Sequence, residues 1–77
     1  MRELLEYLAR SLVDDPAAVE VESFEEDVGT VVLELAGGED DYGKVIGRGG
    51  RTINALRTVV KASAVRHERR VLVDVLD

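Results

Sequence analysis

Residues 43–62 read GKVIGRGGRTINALRTVVKA, and the middle of that run decides how the chain is to be understood. Apolar Val45 and Ile46 give way to Gly47-Arg48-Gly49-Gly50, after which Ile53, Leu56, Val60 and Ala64 recur at helical spacing. Glycine lets a backbone turn with positive φ and lets another group approach the main chain. At a helix start, several N–H groups have no intrahelical acceptor, and the positive end of the helix dipole lies behind them. That arrangement suits a phosphate oxygen, and Arg48 and Arg51 add positive charge beside it.

On the N-terminal side, residues 3–13 predict a helix with Leu5, Leu8 and Leu12 on its apolar stripe, widened by Leu4, Ala9 and Val13. Asp14-Asp15-Pro16 stops it, because the residue before a proline is pushed out of the α region. Ala18 to Phe24 alternates, with Val19 and Val21 on one face and Glu20 and Glu22 on the other, as in a half-buried strand. EEDVG (25–29) reads as a turn into a second strand, Thr30 to Leu35, with Val31, Leu33 and Leu35 in phase. So short a connection makes the pair an antiparallel hairpin.

Gly37-Gly38 breaks that strand, and Glu39-Asp40-Asp41 places carboxylates where the dipole of a short helix, Asp40 to Ile46, favours them. Beyond the glycines comes a helix over 51–66 with Asn54, Arg57 and Lys61 on a second face, then a strand from Arg70 to Leu76. The two helices give enough chain for a parallel crossover between strands two and three. The expected architecture is α+β in the order α-β-β-α-α-β: a mixed three-stranded sheet with three helices on one face. The other face carries Glu20, Glu22, Glu34 and Asp74.

Seventy-seven residues predict a single domain, 1–77. There is no cysteine, so no disulfide or thiolate metal site forms, and a reducing compartment fits. No apolar run reaches ~18 residues, and the N-terminus lacks a signal-peptide core, so the expected location is cytoplasmic. The net charge of −6 hides a strong asymmetry. Residues 1–43 hold 2 basic and 13 acidic side chains, whereas residues 44–70 hold 8 basic and 1 acidic. Phosphate affinity follows the local field, and the basic segment contains the glycine loop.

Two other phosphate-binding patterns fail. A Walker loop needs Gly-Lys-Ser/Thr, which is absent. A dinucleotide fingerprint needs different glycine spacing and a larger sheet. The remaining pattern is the G-x-x-G loop that joins two helices and clamps a single-stranded backbone. VIGRGGRTI (Val45–Ile53) resembles the KH-domain signature, and the element order resembles the type II KH arrangement.

The length, the leucine-rich first helix, GKVIG and the VLVDVLD ending are similar to the bacterial single-KH proteins of the KhpA type. That resemblance implies a cytoplasmic RNA-binding protein acting as an RNA chaperone or post-transcriptional regulator. It also implies a larger KhpB-like partner and links to cell length, cell shape and cell-wall biogenesis. By the same resemblance Gly47, Arg48, Gly49 and Gly50 meet the nucleic-acid backbone, while Val45, Ile46 and Ile53 form an apolar floor for bases. Arg51, Asn54 and Arg57 complete the candidate RNA-binding set. Loops of this kind often carry a polar or basic side chain where this one has Gly49, so Arg51 is expected to compensate.

For Val45, Ile46 and Ile53 the competing reading is ordinary core packing. For Arg66, Arg69 and Arg70 it is a solvated or dipole-compensating role at a helix end. Nothing points to an enzyme, a cofactor or a metal. His67 is the only histidine, and the carboxylates of Glu39-Asp40-Asp41 point in different directions at a helix start. The alternatives are a helix-turn-helix-like DNA binder, with 51–66 as its recognition helix, or a KH-shaped module for protein interaction, including a homodimer.

Overall fold

The computed structural model describes residues 1–76. The first helix, α1, spans Arg2–Arg10. Strands β1 (Glu20–Asp27) and β2 (Thr30–Ala36) follow, then the short helix α2 (Tyr42–Ile46), the long helix α3 (Arg51–Arg66) and strand β3 (Arg70–Val75). The sheet order is β1-β2-β3, antiparallel between the first two strands and parallel between the last two. The expected order and the parallel crossover are both observed.

Strand alternation places the core. Val21, Val31, Leu33, Leu35, Val71 and Val73 turn toward the helices and are buried, where they meet Leu5 and Ala9 of α1 and Ile53, Leu56, Val60 and Ala64 of α3. Leu33 and Leu5 are fully enclosed, each contributing roughly 1.5–3 kcal/mol of apolar burial. The opposite face is more exposed and carries aligned rows. Glu22 pairs with Glu34 and Glu34 with Asp74, and one step along the strands Phe24, Val32 and Leu72 line up across all three.

Several boundaries differ from the sequence expectation: α2 starts at Tyr42 and not Asp40, β2 ends at Ala36 and β3 at Val75, and the larger changes are in α1 and the hairpin. Helix α1 stops at Arg10, not residue 13: the Ser11 N–H still reaches the Tyr7 carbonyl at 3.1 Å, but the Leu12 N–H closes on Ala9 at 3.0 Å in a tighter turn. Leu12 is consequently exposed and leaves the core stripe. Strand β1 starts later and runs on through Glu25, which pairs with Val31. The turn shrinks to Val28-Gly29, closed by the Gly29 N–H donating to Asp27 Oδ1 at 3.0 Å.

The acidic run 39–41 also acts differently from the dipole compensation expected. Residues Glu39–Asp41 form one tight helical turn with no side-chain cap. Asp41 is buried, and its carboxylate accepts the N–H groups of Asp14 and Asp15 at 3.2 and 3.0 Å. It thereby ties the chain after α1 to the start of α2. Lys44 lies 3.6 Å from the same carboxylate and also pairs with Asp14.

The hydrogen bond from the Asp14 N–H is the largest cause holding Asp41 below its ordinary pKa of 3.8; burial opposes it, and Asp15 and Lys44 assist. A depressed carboxylate stabilises the fold above its unfolded-state pKa, and that contribution disappears as pH falls through the folded value. Melting temperature should therefore drop on acidification below about 4. The Asp41→Asn variant should melt lower at neutral pH and show a shallower acid decline. Parallel acid slopes in the two proteins would refute this role.

Candidate nucleic-acid interface

Helix α2 ends at Ile46, where the Gly47 N–H donates to the Gly43 carbonyl at 2.8 Å. Gly47 then turns the chain out with φ 77° and ψ 168°. Residues Arg48–Gly50 make one tight turn with Gly49 at φ 63°, and Gly50 opens α3 at φ 78°. All three glycines thus occupy conformations that L side chains rarely adopt. At Gly47 the need is also steric, because a Cβ there would lie 2.2 Å from Thr52 Oγ1.

No side chain caps the N-terminus of α3; the Gly50 N–H donates to the Gly47 carbonyl at 3.1 Å and the Arg51 N–H to the Arg48 carbonyl, so main-chain bonds of the turn close the helix start. Arg48 and Arg51 are exposed beside them and hold no ion pair among the described residues. Lys44 belongs instead to the Asp14–Asp41 cluster. The loop is thus a cationic, side-chain-poor helix start open on one side.

From that start, α3 runs antiparallel to β3, whose outer edge is unpaired. Arg57 spans the gap: its Nε and Nη2 donate to the Val73 carbonyl at 3.2 and 2.9 Å, and Nη1 donates to Asn54 Oδ1 at 3.3 Å. Two residues of the candidate set are therefore joined, with a guanidinium held over the strand edge. Val45 and Ile53 are core residues with 4% of their surface exposed, so of the expected floor only Ile46 is half-buried and open to contact.

A second lining escaped the sequence reading. Tyr42, Val45, Val75 and Leu76, with Gly37, Gly38 and the acidic Glu39 and Asp41, border a cleft of about 640 Å³ between α2 and the ends of β2 and β3. The available signal was Tyr42 at four residues before Ile46, on the same side of the short helix.

A family model described as KhpA/KhpB, KH domain, matches residues 2–75. The chain belongs to this family. Among its relatives, the RNA-binding protein KhpA of Halalkalibacterium halodurans is 47% identical over 77 residues and matched along its full length. The KhpA of Streptomyces coelicolor is 51% identical over 75 residues, covering 97% of this chain and 94% of that one. The same shape recurs in a crystal structure of Aquifex aeolicus Era, with TM-score 0.73 and 16% identity over 96% of this chain. Era in complex with MgGDPNP and a segment of 16S ribosomal RNA superposes with TM-score 0.61 at 17% identity. The chain spans 28% of each Era chain, and these likenesses speak for the fold alone.

Proposed function

We propose that this protein, with residues 1–77 acting as one KH unit, binds single-stranded RNA in the groove between α3 and β3, without catalysing a reaction. The observation that carries the reading is the Gly47–Gly50 turn: three positive-φ glycines and an exposed arginine at a helix start without a side-chain cap. The relatives named RNA-binding protein KhpA support it. A phosphate seats against the turn and Arg48, Ile46 offers apolar contact to a base, and Arg57 and Asn54 face the strand further along. In a cell such a unit works as an RNA chaperone or post-transcriptional regulator, with downstream effects on cell shape and wall.

With a tetranucleotide, two to three phosphates are neutralised, and each contact contributes ~0.7 to the slope for single strands. The plot of log affinity against log salt should then have a slope of about −1.4 to −2. A slope steeper than about −4 would assign the affinity to a broader charged surface than this turn. Duplex DNA should bind more weakly than single-stranded RNA in the same titration.

The sheet's open face favours a second partner. Phe24 and Leu72 are exposed in line with Val32, beside the carboxylates of Glu22, Glu34 and Asp74. An apolar row with an acidic flank suits a protein surface rather than RNA, and a KhpB-like KH protein or a second copy of this chain would leave the glycine turn open.

A further inference from the structure

Asn54, Arg57, Lys61 and Val65 follow one another at spacings of three, four and four on α3, so they form one stripe. The stripe begins near Gly50 and reaches Val65 about 22 Å away, at 1.5 Å per residue. At that far end the groove opens into a cleft of about 360 Å³ between the end of α3 and the start of β3. Lys61, Arg69 and Arg70 line it together with Val65 and Leu72, and no carboxylate is among the lining residues.

The cations there are weakly engaged. Lys61 and Arg70 are exposed and hold no ion pair among the described residues. Arg69 Nη2 meets only Glu25, itself exposed, at 3.3 Å, and Arg69 Nε is shut off from solvent without an acceptor. Three cations lining one cleft with no carboxylate among them suit the oxygens of a phosphate. Val65 is 73% exposed beside it, an apolar surface of the kind a nucleobase or sugar covers.

The end of α3 also fixes these groups in place. It closes with the Arg69 N–H donating to the Ala64 carbonyl at 2.9 Å, around Glu68 at φ 56°. Arg69 and Arg70 thus enter β3 along a set path.

We propose that Lys61, Arg69 and Arg70 form a second phosphate seat, so that the groove holds a longer single strand than the four nucleotides a G-x-x-G loop clamps. The seat rests on the RNA-binding reading above, and continuity with the α3 stripe favours RNA over an acidic protein segment as its occupant. Strand length then becomes a determinant of affinity. A short oligomer engages the glycine turn alone, and a longer one also reaches the far cleft.

The test measures fluorescence anisotropy of labelled oligouridylates, a tetranucleotide and an octanucleotide, with wild type, Lys61→Glu/Arg70→Glu and the milder Lys61→Gln/Arg70→Gln. Circular dichroism melts confirm that each variant is folded. Two added contacts should steepen the octanucleotide salt slope by ~1.4 and tighten binding about tenfold near physiological salt. Both double variants should lose that gain and keep wild-type affinity for the tetranucleotide. Equal loss for both lengths, or an unchanged octanucleotide gain, would overturn the seat while leaving the glycine-turn reading intact. An octaglutamate peptide competing as well as the octanucleotide would reassign the cleft to protein and overturn it too. If wild type binds neither oligomer, the RNA reading falls and the seat falls with it.

Discussion

Changing Arg48 and Gly49 together to aspartate should nearly abolish RNA binding while leaving the protein folded. The substitution removes one positive charge and adds two negative ones at the spot where a phosphate approaches. At ~1 kcal/mol per unit charge near 4 Å in water, and more where solvent is excluded, the loss is at least ~3 kcal/mol, on the order of a hundredfold in affinity. Gly49 tolerates the change sterically, because a Cβ there meets nothing within 4 Å. Its φ of 63° is left-handed, but aspartate is among the residues that visit this region, at a cost of about 1 kcal/mol. Carboxylates near the start of α3 return about 0.3–1 kcal/mol through the helix dipole. Melting should therefore stay close to wild type. Arg48→Asp alone isolates the charge effect from the backbone effect. A folded double variant that binds single-stranded RNA like wild type would reduce Gly47–Gly50 to a simple turn and end the functional reading.

The order of elements was legible because each one announces itself over a short window. Alternating Val19-Val21 and Val31-Leu33-Leu35 set the strands, and the Ile53-Leu56-Val60-Ala64 spacing set the long helix. The glycine turn was legible for the same reason, since its geometry is local and its residue types are those the backbone demands. Leu12 misled because a hydrophobic residue in phase says nothing about where the helix ends, and the chain already tightens at Leu12, whose N–H closes on Ala9. Glu25 looked like turn material, yet pairing across to Val31 extends β1 regardless of its own β-propensity.

The role of Asp41 could not be read from neighbours, because the N–H groups it accepts belong to residues 26 and 27 positions away. Arg57 is a similar case: its charge was visible, but its carbonyl partner on Val73 is a product of the crossover. Val45 and Ile53 show the limit of a motif. The pattern marks them as apolar and adjacent to the loop, whereas the tertiary structure places nearly all of their surface in the core. From sequence Arg69 and Arg70 were given a solvated or dipole-compensating role at a helix end, and only the meeting of α3 with β3 brings them beside Lys61.

The three glycines of the turn should not be equivalent, and replacing each by alanine separates their roles. At Gly47 a Cβ would sit 2.2 Å from Thr52 Oγ1, 2.7 Å from Thr52 Cβ and 2.8 Å from the Thr52 nitrogen. The hydroxyl could rotate away, but the Cβ and the main-chain nitrogen could move only if the first turn of α3 moved. Added to a left-handed φ of 77°, the overlap should cost roughly 3 kcal/mol or more. For a domain of this size that lowers the melting temperature by about 12 °C or more. At Gly49 the space is open, and at Gly50 the nearest atoms lie at 3.8 and 4.0 Å, which is ordinary contact. Both should cost only the backbone term of about 1 kcal/mol, or about 4–8 °C. Adding Thr52→Ala to Gly47→Ala should recover little, since the Cβ and nitrogen contacts remain. Thermal melts by circular dichroism read the order directly. If Gly47→Ala and Gly49→Ala melt together, Thr52 does not press on the turn as the structure places it. If Thr52→Ala restores the melt, the hydroxyl alone sets the requirement for glycine at 47.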